Sequence, residues 1–302
     1  MKSGVIQGSV VSSQLFSIYI NDLPSSVRYC NLLLFADDGK LVGKAKTIND
    51  CLLIQEDLSS IVQWSKDNEL PLNSCKSQCL HIGHGNPQYN YTVARTNLIN
   101  VNNCIDLGLT RTSDFSYSTH IELMVTKASR AAGMIFRAFS TRNEIFLMKL
   151  FVVYVRPILE YASVIWNPIY TRQIKDIEDV QRRFTKRLPG LKKLSYEDRL
   201  KNLNMSTLES RRNLADLAMV YKLLHDQLGI TADSVGIILS QAPTRGKDIN
   251  IQVHKALNNI VAKTFAYRAS TTWNSLPPAT KLSRSLPVFK QCLTKQLYID
   301  LK

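Results

Sequence analysis

The chain has 302 residues, 45% of them apolar and 21% charged, a globular composition that excludes wholesale disorder and is long enough to suggest two domains. No window approaches the ~18 consecutive apolar residues of a membrane span, and "KSGVIQGSV" after Met1 lacks the apolar core of a signal peptide, so the expectation is an intracellular protein without membrane contact. The net charge of +14 is uneven: residues 1–70 hold 6 Lys/Arg against 8 Asp/Glu, whereas residues 121–302 hold 29 against 14, which points to an acidic site region joined either to a nucleic-acid-binding region or to a solvated helical surface.

In chain order, the Gly- and Ser-rich residues 3–14 lead into "LFSIYINDLP", where Leu15, Phe16, Tyr19, Ile20 and Leu23 fall at helical spacing and Pro24 marks the end. Next comes "NLLLFADDGKLVG", an apolar run closed by two aspartates. Asp-Gly between apolar runs predicts a hairpin, with Gly39 supplying a positive φ. Two readings are open on this segment alone. It is a plain turn, or a turn whose paired carboxylates, Asp37 and Asp38, are relieved of mutual repulsion by a divalent cation. "TINDCLLIQEDLSSIVQWSKDN" predicts a helix with Thr47 as N-cap, Asp50 completing a capping box, and Ile54, Leu58, Ile61 and Val62 as its apolar face. "KSQCLHIG", "YNYTVA" and "CIDLGLT" read as strands, so residues 1–115 form an α+β half.

Beyond residue 115 the period becomes helical. "HIELMVTKASRAAGMIFRAF", "EIFLMKLFVVYVRPILEYASVIW" and "STLESRRNLADLAMVYKLLHDQL" predict long helices, with Pro157 breaking or kinking the second. Periodicity fades over 229–253, which reads as a linker. A last unit carries a buried Trp273 and a helix from about Pro287. The organisation is therefore 1–115, a basic helical region at 116–228, and a linker with helical tail at 229–302.

Six cysteines without a framework spacing suit a reducing compartment. Cys75, Cys79, His81 and His84 are too crowded along one strand and turn to surround a zinc ion, so no zinc is expected.

Taken in order, these segments resemble the reverse transcriptases of non-LTR retrotransposons, the jockey-like group in particular. "SGVIQGSVVSSQLFSIYINDLP" is similar to their motif B, "LLLFADDGKLV" to motif C and "LPLNSCKSQCLHIG" to motif D. "CIDLGLTRTSDFSYSTHI" is similar to the stretch from the primer-grip hairpin into the thumb. The likeness continues through "YVRPILEYASVIWNP", "VQRRFTKRLPG", "SYEDRLKNLNMSTLESRRNLADL" and "WNSLP".

The resemblance implies a polymerase palm followed by a mostly α-helical thumb and C-terminal region. It also implies two-Mg²⁺ transfer of a nucleotide from dNTP to a DNA primer 3′-hydroxyl on an RNA template. It makes Asp37 the principal metal ligand, with Asp38 beside it in a less direct role. Gln7, Gly8 and Ser9 lie against nucleotide and template. Lys76 is either the acid that protonates pyrophosphate or a surface lysine. In "VQRRFTKRLPGLKK", Arg182, Arg183, Lys186, Arg187, Lys192 and Lys193 are expected to form a phosphate-binding stripe, with 182, 186 and 193 near one helical face. Departures are visible. Ile6 stands for the usual proline, and Gly39 for the usual threonine. No motif A strand or fingers precede motif B, so the missing N-terminal half is an expected partner. The alternative is a non-catalytic nucleic-acid-binding remnant or an inert product.

Overall fold

A computed structural model describes residues 4, 6, 8–83, 85–240, 249–253, 259–262 and 264–299. The chain forms two compact units, Met1–Ser116 and Tyr117–Lys302. Helices and small, mainly antiparallel sheets give an α+β fold.

In the first unit, helix α1 (Ser12–Tyr19) is shorter than its apolar spacing predicts. It buries no residue, and the buried side chains of the segment, Ile20 and Leu23, lie beyond its end, where a 3₁₀ turn over Leu23–Ser26 carries Pro24 at its start. Proline is tolerated there because the first N–H of a helix has no partner to lose. Strands β1 (Asn31–Phe35) and β2 (Asp38–Val42) pair antiparallel. Helix α2 (Ile48–Asp67) begins with the expected capping box: the Thr47 side chain accepts from the Asp50 N–H, while the Asp50 carboxylate accepts from the Thr47 N–H.

The buried face of α2 runs through Cys51, Asp57, Ile61 and Ser65, one step round from the predicted stripe, because Asp57 rather than Leu58 points inward. Strand β3 (Gln78–Leu80) pairs parallel with β6 (Ile99–Val101), and β4 (Thr92–Val93) pairs with β5 (Thr96–Asn97). The Gln55 side chain bonds both the N–H and the C=O of Thr92, fastening β4 to α2. "CIDLGLT" is not one strand but a hairpin, β7 (Asn103–Asp106) and β8 (Leu109–Thr112). It turns at Leu107 (φ 47°) and Gly108 (φ 80°), the double left-handed geometry of a type I′ turn.

The second unit is helical: α3 (Ser118–Ala138), α4 (Glu144–Leu150), α5 (Arg156–Glu160), α6 (Ser163–Trp166), α7 (Thr171–Lys186), α8 (Tyr196–Asn202), α9 (Leu208–Leu224), α10 (Asn259–Ala262), α11 (Phe265–Asn274), α12 (Pro278–Lys281) and α13 (Leu286–Ile299). Pro157 does not simply break its helix. A π-helical turn over Phe151–Val155 joins α4 to α5, widening the backbone just before the ring that has no N–H to give. The chain then turns at Ala162, whose φ is 52°. Phe184 sits between Phe136 and Phe151, each 4.7 Å away between ring centres. A second apolar cluster joins Leu217, Val220 and Tyr221 of α9 to Trp273 and Phe289, so α11 and α13 share the core of this unit. Trp273 is fully buried and donates to the Ile249 carbonyl at 2.7 Å.

Candidate functional site

The Asp-Asp segment is a hairpin of minimal length. Phe35 pairs with Asp38, so only Ala36 and Asp37 form the loop. The positive φ belongs to Ala36, at 49°, and not to Gly39, which lies inside β2 opposite Leu34. A left-handed residue at the first loop position is the pattern that suits the twist of a two-residue hairpin. On a residue with a Cβ it costs ~1–2 kcal/mol. Such strain is concentrated at sites that use it. The outcome is that Asp37 sits on the turn and Asp38 begins the strand, and both are exposed. Among the described residues neither carboxylate makes an ion pair.

The hairpin is held from behind. The Asp57 carboxylate accepts the N–H groups of Arg28, Tyr29 and Cys30 at 2.9, 2.9 and 2.8 Å, which fixes the approach of the chain to β1. Burial works to push this carboxyl up, but the hydrogen bonds prevail and hold it below the usual carboxylate range. The Cys30 thiol is pushed up to about 12 by burial, then by its hydrogen bond to the Asp57 carboxylate and by that group's charge. At the far end of β2, a side chain on Gly43 would come within 2.7 Å of Ile54 and 2.9 Å of Cys30 Sγ, so glycine permits the strand to lie directly on α2. Lys40, two residues after Asp38, donates to Asp106 of β7. The face that carries Asp38 and Lys40 is otherwise open: their cross-strand partners Phe35 and Leu33 are exposed, as is Val42, and β1–β2 forms a sheet of only two strands among the described residues.

The donor set suits a hard cation. Mg²⁺ is commonly held by one or two carboxylates, with water completing its shell, and two adjacent aspartates meet that need. Among the described residues no group of three or more His, Cys, Asp and Glu side chains could hold a metal ion, so the pair fits a cation whose shell water or further ligands would complete.

The other sequence candidates are placed as follows. Gly8 adopts φ 87° with open space where a Cβ would lie, and the Ser9 side chain accepts from the Val11 N–H ahead of α1; Gln7 lies outside the described residues. Lys76 is exposed on a turn whose backbone N–H groups bond back to Asn73, just ahead of β3. Of the cysteine–histidine cluster, Cys75 is exposed and Cys79 is on β3. The buried His81 ring has Asn86 and Asn100 oxygens at 3.0 and 3.1 Å and Cys79 Sγ at 3.6 Å; His84 lies outside the described residues.

In the second unit the basic residues do not share one helix. α7 ends at Lys186, Arg187 is its C-cap, and Gly190 (φ 77°) turns the chain before Lys192 and Lys193, so 182, 186 and 193 are not on a common helical face. Arg182 is engaged by Asp179 at 3.0 Å and stacks on Tyr196, and the Arg187 guanidinium lies 3.9 Å from the Phe136 ring centre. Arg183, Lys186, Lys192 and Lys193 are exposed. Arg183 also lines an open groove of about 580 Å³ between α3 and α7, together with Arg172, Glu122, Asp176 and Ser129.

Two features escaped sequence reasoning. The inward turn of Asp57 has no signal, since an aspartate in a polar-rich helix reads as solvated. The carboxylate of Asp106 was visible only as one residue of an assumed strand.

Residues 1–117 match the family described as reverse transcriptase (RNA-dependent DNA polymerase). An uncharacterised protein of Caenorhabditis elegans is 28% identical over 122 residues, which is 39% of this chain and 62% of that protein, so the match spans less than two thirds of the relative's length. No solved structure matches the chain.

Proposed function

We propose that this chain is part of an RNA-directed DNA polymerase of a jockey-like non-LTR retrotransposon, with residues 1–115 contributing to the palm and 116–228 to a thumb-like basic region. The family match to residues 1–117 supports the polymerase class for that unit. The observation that carries the reading is the pair Asp37 and Asp38, exposed and, among the described residues, free of ion pairs at the tip of a strained two-residue hairpin inside the matched segment. In this reading Asp37 is the principal ligand for Mg²⁺ and Asp38 its neighbour. A cation held there would supply a Lewis acid able to lower the pKa of an attacking hydroxyl and to offset charge on a transferred phosphoryl group. Gln7, Gly8 and Ser9 lie against the nucleotide and template, with glycine admitting close approach of the backbone. Lys76 donates a proton to the departing pyrophosphate.

Because the described residues supply no third ligand, the proposed activity needs a further carboxylate, and the chain by itself is expected to incorporate no nucleotide. The test therefore reads the site directly. Fe²⁺ takes similar hard-oxygen positions and, with ascorbate and peroxide, cuts backbone near where it is bound. Cleavage of the full chain should focus on residues near 37 and 38 and disappear in Asp37→Asn/Asp38→Asn. Scattered cleavage, or cleavage indifferent to that change, rejects the assignment.

A second reading, a nucleic-acid-binding remnant without chemistry, is favoured by the exposed Arg183, Lys186, Lys192 and Lys193. It predicts duplex binding whose log K falls by about 0.9 per neutralised phosphate as log salt rises. Glutamate at those four positions should flatten that slope.

A further inference from the structure

Lys40 is placed to spoil the carboxylate pair, and it does not. Successive side chains of a strand alternate, so Asp38 and Lys40 of β2 project from the same face. Neighbours at this separation are ~7 Å apart, within the reach of a lysine side chain. A lysine free to swing there would pair with Asp38, cancel part of its charge and fill a ligand position. In the structure the Lys40 ammonium is instead bound to Asp106 Oδ2, and Arg111 Nε donates to the same oxygen at 2.7 Å.

The geometry of the second hairpin makes this possible. The tight turn at Leu107 and Gly108 brings Arg111 of β8 back beside Asp106, the last residue of β7. Asp106 is far more shielded than Lys40, with side-chain exposures of 16% and 41%, so the anchor is the more fixed partner. Arg111 adds a second cation to the carboxylate and keeps it from turning away.

We propose that Asp106, backed by Arg111, is a positioning residue that holds Lys40 off Asp38 and thereby keeps the charge and the open ligand positions of the Asp37–Asp38 pair for a divalent cation. This rests on the cation-binding reading given above. Asp106 touches neither the cation nor a substrate; it acts through Lys40.

Mn²⁺ binding to the full chain, followed by the electron paramagnetic resonance signal of the free ion, tests the assignment without requiring activity. Wild type should bind Mn²⁺, and Asp37→Asn should abolish that binding. Asp106→Asn should weaken it roughly two- to fivefold, the scale of one exposed ion pair. Lys40→Met in the Asp106→Asn background should restore wild-type affinity, and Asp106→Glu should retain it. Rescue by Lys40→Met separates positioning from simple damage to the hairpin, which removal of a lysine would not repair. Asp37-dependent binding that is unchanged in Asp106→Asn, or weakened without rescue, overturns this assignment alone. Absence of Asp37-dependent binding in wild type overturns the cation reading and the assignment with it.

Discussion

Replacing Asp57 with alanine should release the Asp-Asp hairpin from the helix behind it. The buried carboxylate accepts three backbone N–H groups, from Arg28, Tyr29 and Cys30, all between 2.8 and 2.9 Å. A hydrogen bond to a charged group contributes roughly 1.5–3 kcal/mol net. Three bonds to one carboxylate are not independent, and about 4 kcal/mol is expected for losing them together. That is a large part of the ~5–15 kcal/mol that stabilises an ordinary domain.

Asparagine should cost less, about 2–3 kcal/mol. Its one oxygen can still serve two donors, while its NH₂ group faces a third. With two units in the chain a single unfolding free energy is not well defined, so the measurement should be local. Amide hydrogen exchange in the β1–β2 ladder should quicken by about a thousandfold in Asp57→Ala, the factor equivalent to 4 kcal/mol. The carboxyl titrates below its usual value in the folded protein. Its contribution is therefore complete above the unfolded-state pKa of about 3.9 and is lost as pH falls through the folded-state value. Protection in wild type should decline over that acid window, and Asp57→Ala should lack this part of the decline. Acceleration of less than about tenfold in Asp57→Ala would refute the view that this carboxylate anchors the hairpin.

Gly43→Ala should cost about 1–3 kcal/mol, read by the same exchange experiment, because the new methyl meets Ile54 and Cys30 at under 3 Å. Iodoacetamide at pH 8 should modify the exposed Cys75 well before the half-buried Cys30, whose thiol stays protonated; peptide mass spectrometry would show the order. In the second unit Asp216 accepts from Arg268 at 2.7 Å with both side chains largely buried, tying α9 to α11. Asp216→Ala should lower the local stability of α9 and α11 by about 3–5 kcal/mol, read by amide hydrogen exchange in those two helices, while Asp216→Leu/Arg268→Met should lose far less, since both buried charges then leave together.

The local rules in the sequence determined much of the layout. The Thr47–Asp50 capping box starts α2 where the sequence places it, the helical period after residue 115 becomes the helices from α3 onward, and Trp273 is buried as its surroundings suggested. Motif order likewise led to the polymerase family that matches residues 1–117. These are short-range properties, written in spacing and residue type.

The tertiary structure decided the rest. Asp-Gly predicted a turn at Gly39, yet the turn falls at Ala36–Asp37 because β2 is held elsewhere, by Gly43 against α2 and by Lys40 on Asp106. Pro157 came to lie in the first turn of α5, just after a π-helical turn that begins at the buried Phe151, so the helical path continues past it. α7 ended at Lys186, so Lys192 and Lys193 lie off it beyond a left-handed Gly190, and Arg182 was drawn to Asp179 and Tyr196. Asp57 and Asp106, the carboxylates that hold the site, have partners 27–29 and 66 residues away as well as nearby. A buried carboxylate is tolerated only when such partners arrive to satisfy it, and sequence spacing carries no record of which distant donors do.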